Sequence, residues 1–160
     1  RSGQLRRVGD GTNLIDITYV ENAAAAHLHA ADALRRGSPV CGRAYFISQG
    51  EPVNCWQWID EILALAGLPP VKRSISLSLA SHAGAVLEAF HRVFRPNTEP
   101  RMTRFLAAQL GRSHYFNIQR ARNDFGYSPT ISTAEGMRRL GQWLSRESRS
   151  PVYSIPTGVR

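Results

Sequence analysis

The stretch that most narrows the fold is DITYVENAAAAHLHAADAL, residues 16 to 34. From residue 14 to 20 the chain alternates, with Leu14, Asp16 and Thr18 set against Ile15, Ile17 and Tyr19, the period of a half-buried strand. The period then changes at once. Asn22 is placed as an N-cap, its side-chain oxygen accepting from an amide of the first turn, and a helix is predicted from there to about Arg36. Arg35 and Arg36 suit the helix's negative end, and Gly37 releases the chain. Seven alanines within it leave a face so small that a neighbouring layer can approach the backbone closely. A strand that turns straight into such a helix is a corner packed on a sheet, so an α/β chain is expected.

The rest of the chain reads as several helices with few short strands. Residues 1–13 are a polar, glycine-rich loop. GRAYFIS, 42–48, has the pattern of a second strand. NCWQWIDEILALAG follows as a helix with Asn54 as its N-cap and Gln57 at capping-box spacing, stopped by Gly67 and Pro69-Pro70. A third helix is predicted over about 75–94, with Leu79, Ala83, Val86, Leu87, Phe90 and Phe94 on one side. His82, Glu88, His91 and Arg92 interrupt it, so it is too polar to span a bilayer, although an interfacial or a substrate-lining helix fits it. A short helix over about 101–110, a strand at SHYFNI and a helix ended at Gly126 come next. The last helix, about 133–146, is capped by Ser132 or Thr133, with Met137, Leu140, Trp143 and Leu144 inward. Residues 147–160 read as a loose, flexible tail, which leaves 1–146 as the folded unit.

At 160 residues the chain can bury one core. Cys41 and Cys55 lie in apolar surroundings without metal-type or redox-type spacing, so buried, reduced thiols and a cytoplasmic location are expected. The net charge of +8 invites a nucleic-acid reading. Yet 19 of the 20 basic residues are arginines scattered as singles and pairs, with no aromatic-interleaved stripe. A solvated basic surface is favoured and no nucleic acid is expected as partner. His27 and His29 face opposite sides of a helix, and His82, His91 and His114 stand apart, so no metal site is expected. G-x-S-x-G and P-loop motifs are absent. Gly9-Asp10-Gly11 lacks a third glycine and precedes a strand instead of following one, so it reads as a tight turn and not as a dinucleotide fingerprint.

Three segments in order carry a resemblance. VGDGTNLIDITYVENAAAAHLHAADAL, GRAYFISQGEPVNCWQWIDEILALAGLP and HYFNIQRARNDFGYSP with its following EG…W helix resemble the C-terminal half of an extended short-chain dehydrogenase/reductase. The nearest branch is that of the 3β-hydroxysteroid and sterol dehydrogenases, relatives of the NAD-dependent nucleotide-sugar epimerases and dehydratases. The resemblance runs from about Val8 to Leu144. It implies the substrate-binding part of a Rossmann-type enzyme that uses NAD or NADP on a secondary alcohol. The nucleotide-binding glycines and the Tyr-x-x-x-Lys pair of that family lie in the first half. Here the single lysine, Lys72, has Leu68 four residues before it, so neither catalysis nor cofactor binding is expected of this chain alone. The first residue is Arg1 and not methionine, and the expected partner is a missing nucleotide-binding half.

The resemblance also points to substrate contacts at Asn13, Asp16, Arg101, Arg104 and Tyr115, around the corner at 16–22 and in the variable lid at about 68–117. Each has a plainer reading: Asp16 as a buried hydrogen-bond partner, the arginines as an ordinary helix face, Tyr115 as packing. The epimerases carry Arg-Asp where this chain has Ile15-Asp16. An apolar side chain cannot neutralise a diphosphate, which favours an apolar alcohol such as a sterol. Two alternatives stay open: a non-catalytic binding or interaction domain derived from the family, and a fragment of an epimerase or dehydratase. Without its sheet, the alanine face and AYFI would lie open, so marginal stability and self-association are expected.

Overall fold

The structure is a computed structural model and describes residues 5–147. Its elements in order are β1 (Arg7–Val8), β2 (Leu14–Ile15), α1 (Val20–Ala33), β3 (Val53–Asn54), α2 (Cys55–Leu65), β4 (Ser74–Ile75), α3 (Leu77–Phe94), α4 (Arg104–Gly111), α5 (Gln119–Phe125) and α6 (Thr133–Glu147). β1 runs parallel to β4, with Arg7 opposite Ser74. β2 runs antiparallel to β3, with Leu14 opposite Asn54. A single parallel bridge joins Ile15 to His114. The fold is therefore mainly helical, with strands of two residues each.

Local chemistry sets most helix starts. Asn54 Oδ1 accepts from the amides of Trp56 and Gln57, Ser76 Oγ from Leu79 and Thr103 Oγ1 from Leu106. Ser132 Oγ accepts from the Glu135 amide. These satisfy amides that a first turn leaves without partners. Gly126 leaves α5 at φ 70, in the left-handed region that favours glycine.

Two apolar clusters form the interior. One gathers Val8, Ile15, Cys55, Trp56, Ala80 and Ala107 from the strands and α2, α3 and α4. Trp56 is 1% exposed, and its indole N–H donates to Leu110 O at 3.1 Å. The other gathers Ala26, Ile118, Ala121 and Tyr127 where α1 meets α5.

Several expectations are corrected. The strand at 14–20 shortens to β2: beyond Ile15 the backbone makes single bonds to different segments, Asp16 N–H to His114 O, Gln49 N–H to Ile17 O and Tyr19 N–H to Gln49 Oε1, and no ladder continues. α1 begins at Val20 with Tyr19 as N-cap and no side-chain cap bond, and ends at Ala33, short of Arg36. Asn22 is not the cap; it is a buried member of the helix at 1% exposure. Residues 42–48 are not assigned to a strand, since none of the described residues pairs with them in a ladder. SHYFNI contributes only the bridge at His114. The helix expected from 101 starts at Arg104. Cys41 is exposed, whereas Cys55 is buried as expected. Trp143 is 56% exposed and does not point inward. Glu147 closes α6, and the rest of the expected tail lies outside the described residues.

Candidate functional site

The corner at Ile15–Tyr19 forms one wall of a cavity of about 460 Å³. Gln49 and Trp58 close two sides, and the first two turns of α6 supply Thr133, Gly136, Met137 and Leu140. The lining holds no lysine, arginine, histidine or cysteine. Its polar members are largely turned into the wall. Asp16 Oδ2 accepts from the Phe116 amide at 2.7 Å. Asp16 Oδ1, Trp58 Nε1 and Thr133 Oγ1 are buried without hydrogen-bond partners. A volume of this size with an apolar lining suits a small apolar molecule.

A buried amide network holds the wall. Asn22 Nδ2 donates to Gln49 Oε1 at 2.6 Å and to Ile131 O at 2.7 Å. Asn22 Oδ1 accepts from the amides of Thr130 and Ile131. Gln49 Nε2 donates to Ile131 O at 2.6 Å, and Gln49 Oε1 also accepts from the Tyr19 amide. One side chain of α1 thus fixes both Gln49 and the approach to α6. On the far rim, Arg139 donates to Glu135 and Glu21 and lies 5.6 Å above the Tyr19 ring. Hydrogen bonds from Arg138 and Arg139 hold the Glu135 carboxyl down at about 2. Gly136 lets α6 come close: a Cβ there would stand 3.0 Å from Tyr19 Cδ2.

The five expected contacts do not converge here. Only Asp16 lines the cavity. Asn13 is buried beneath it, with its Nδ2 3.5 Å from Arg112 O and its carbonyl accepting from the Cys55 amide. Burial pushes the neighbouring Cys55 thiol up, so it is a packing thiol. Arg104 is clasped to α3: its amide and Nε donate to Glu88 at 2.7 and 2.9 Å. Arg101 is exposed in the bend before α4. Tyr115 is 53% exposed and lines a separate groove of about 500 Å³ beside the stacked rings of Phe46 and Phe116, 3.9 Å apart. Gln49, Trp58, Thr133, Met137 and Leu140 were not expected. The inward face of α6 was the available signal for the last two.

Comparison with known proteins places this geometry. The model of the 3-beta hydroxysteroid dehydrogenase/isomerase family matches residues 1–79. The 2-alkyl-3-oxoalkanoate reductase of Stenotrophomonas maltophilia is 46% identical over 140 residues, 88% of this chain and 42% of that protein. The decarboxylating sterol-4α-carboxylate 3-dehydrogenase of Schizosaccharomyces pombe is 35% identical, over 93% of this chain and 44% of that protein. The crystal structure of UDP-glucuronic acid 4-epimerase from Bacillus cereus, in complex with NAD, covers 89% of this chain and 34% of that one at a TM-score of 0.53 and 16% identity. The chain belongs to the 3β-hydroxysteroid dehydrogenase-like extended short-chain dehydrogenase/reductases.

This is a family of oxidoreductases with a Rossmann-type fold. The chain spans about two fifths of the length of the curated relatives it matches. The glycine turn of this short-chain dehydrogenase/reductase does not form a dinucleotide cradle. The Gly9–Gly11 turn is closed on itself, because Asp10 Oδ1 accepts from both the amide and the hydroxyl of Thr12. It leads into β2 and not into a helix N-terminus. Among the described residues no cluster of His, Cys, Asp and Glu could hold a metal ion, and no helix is long and apolar enough to cross a membrane.

Proposed function

We propose that this chain is the substrate-binding half of an NAD(P)-dependent oxidoreductase that interconverts an apolar secondary alcohol and its ketone. The upstream half of the complete enzyme supplies the nucleotide site and the Tyr-x-x-x-Lys pair. The observation that carries this reading is the apolar, cation-free cavity under the Ile15–Tyr19 corner. Ile15 is buried at 9% exposure, and nothing in the lining could neutralise a diphosphate, which disfavours the epimerase reading. Residues 43–47, without a ladder partner among the described residues, fit a chain that receives further strands. Alone, the same face would promote self-association, and an apolar substrate makes peripheral membrane contact reasonable.

The names of the relatives refine the substrate class. A 3-oxoalkanoate bearing a 2-alkyl group and a sterol oxidised at position 3 beside a 4-carboxylate share one pattern. In both, the reacting carbon is next to a branched carbon that bears a carboxylate. We therefore take the substrate to be an α-branched β-hydroxy or β-oxo acid, sterol-like or alkyl, whose apolar body enters this cavity. The acid group would stay outside, since the lining offers it no cation.

The test is hydride transfer by the native-length polypeptide, followed through the nicotinamide absorbance, with a 2-alkyl-3-oxoalkanoate and a 4α-carboxysterol. Turnover of either is expected. Met137→Arg should raise KM roughly tenfold while kcat holds, because it charges a wall that contacts only the body of the substrate. Absence of turnover with both would end the reading.

A further inference from the structure

The helix α6 is the wall of the cavity with the least packing behind it. It gives the lining Thr133, Gly136, Met137 and Leu140, yet none of its residues is fully buried. Its later turns lean on α2, where a Cβ at Gly141 would stand 3.1 Å from Leu65 Cδ2. That contact leaves the first turns to be placed by something else. The ion pair at the rim holds weakly, because the Arg139 and Glu21 side chains are 35% and 60% exposed. What remains is the strap ahead of the helix. Ile131 O accepts from Gln49 Nε2 at 2.6 Å and from Asn22 Nδ2 at 2.7 Å, and Asn22 Oδ1 accepts from the amides of Thr130 and Ile131. Asn22 and Gln49 are 1% and 4% exposed, so these bonds are made out of reach of water, where they are strongest. The same strap launches α6: Ser132 O and Oγ accept from the amides of Gly136 and Glu135.

The other end of the clamp is the corner itself. Gln49 Oε1 accepts from the Tyr19 amide and from Asn22 Nδ2, and the Gln49 amide donates to Ile17 O. One amide pair thus ties two facing walls. Those walls come closest at Tyr19 and Gly136, where a Cβ on the glycine would stand 3.0 Å from the ring. We infer that Asn22 and Gln49 are positioning residues: they hold the first turns of α6 at the spacing that decides how wide an apolar body the cavity admits. Asn22 does so without lining the cavity, acting through Gln49 and Ile131. Selection by size rests on the proposed substrate reading; the placement of α6 does not.

The experiment uses Gln49→Glu in the native-length polypeptide. This variant keeps an oxygen for Asn22 and Tyr19 but turns the donor facing Ile131 O into an acceptor. Burial and the opposing carbonyl push such a carboxyl above its ordinary range, and protonation gives Ile131 O a donor again. Protection of the Thr130, Ile131, Glu135 and Gly136 amides from hydrogen exchange should therefore match wild type at acid pH and fall roughly tenfold below it as pH rises. Asp16 and Tyr19 in the wall and Glu21, Glu135 and Arg139 at the rim also titrate. Wild type carries them all and is the reference at each pH. Size selection is read as the ratio of kcat/KM for a 2-methyl- and a 2-octyl-3-oxoalkanoate, which wild type should separate roughly tenfold or more. Asn22→Ala, and Gln49→Glu above neutral pH, should narrow that ratio at least roughly threefold, and Gln49→Glu should recover it at acid pH. Gly84→Ala, which strains α3 against α4 instead, should leave the ratio as it is. Protection in Gln49→Glu that follows wild type at every pH, a ratio shared by all the variants, or an equal narrowing in Gly84→Ala would each overturn the inference. Absence of wild-type turnover together with the pH-dependent protection sinks the proposed function alone. Turnover without that change in protection sinks this inference alone.

Discussion

The two apolar clusters are built on different principles. Around Trp56 the interior is filled by volume: a large indole, Val8, Ile15 and partly buried Ile59, Ile75 and Leu77 from five elements. Around Tyr127 the helices meet through Ala26 and Ala121 beside Ile118 and the Tyr127 ring, and directed bonds do the tying: Tyr127 Oη donates to Ser48 O, and the Asn22–Gln49 amides join α1 to Ile131. The first cluster is enclosed by the chain's own strands and helices. The second borders residues 42–48, where Phe46 is 57% exposed and no ladder forms. A region held by volume stands on its own contacts. A region held by small residues and directed hydrogen bonds is shaped to accept another layer.

The comparison can be broken at each side. Trp56→Ala removes the centre of the first cluster and should cost about 3–5 kcal/mol, read as the urea midpoint. Equal unfolding of both clusters in that variant would show them to be one cooperative unit. Asn22→Ala should cost about 2–3 kcal/mol, because the amides of Thr130 and Ile131 lose their acceptor. Native-state hydrogen exchange should place that loss around 19–22, 49 and 130–133 and spare Trp56. Gly84→Ala sharpens the contrast within the first region. A Cβ there would stand 2.7 Å from Arg104 N and Thr103 C. Overpacking of about 1–3 kcal/mol is partly offset by a gain of about 1 kcal/mol in helix propensity, and exchange at α4 should rise.

The smallest effect is on acidity. The folded-state Glu135 carboxyl, at about 2, lies below its ordinary 4.5. Its contribution is therefore complete above pH 4.5 and is lost as pH falls through about 2. The pair is exposed, so salt should mute it. Acid titration of Glu135→Gln should show a flatter stability profile over that window, confined to the cavity rim.

What could be read from the residues was mostly what is local. Asn54, Ser132 and Gly126 mark helix ends through bonds that span only a few positions, and they do so here. Asn22 failed because the same residue type serves a cap or a buried amide equally well. Its partners at Gln49 and Ile131 lie 27 and 109 residues away. The strand at 42–48 failed because its pattern calls for neighbours that the described residues do not provide. For the cavity, the resemblance pointed to the corner at 16–22, of which Asp16, Ile17, Thr18 and Tyr19 line it. Arg104 and Tyr115 were pointed to by the resemblance, which cannot tell that Glu88 already holds the first or that Phe46 shares a groove with the second. Trp58 and α6 reach the cavity only through tertiary packing.

The seam between β2 and residues 113–116 has a consequence in time. Leu14 accepts from the His114 amide, Asp16 donates to His114 O, and Asp16 Oδ2 accepts from Phe116, all across about 100 residues. At about 5–20 residues per second of synthesis, β2 leaves the ribosome roughly 5–20 seconds before its partner exists. During that interval the corner has β3 and Gln49 as neighbours on one edge, while its other edge waits for residues 113–116. The element that walls the cavity is thus made early and settled late, and that waiting period is when chaperones would matter most to this chain.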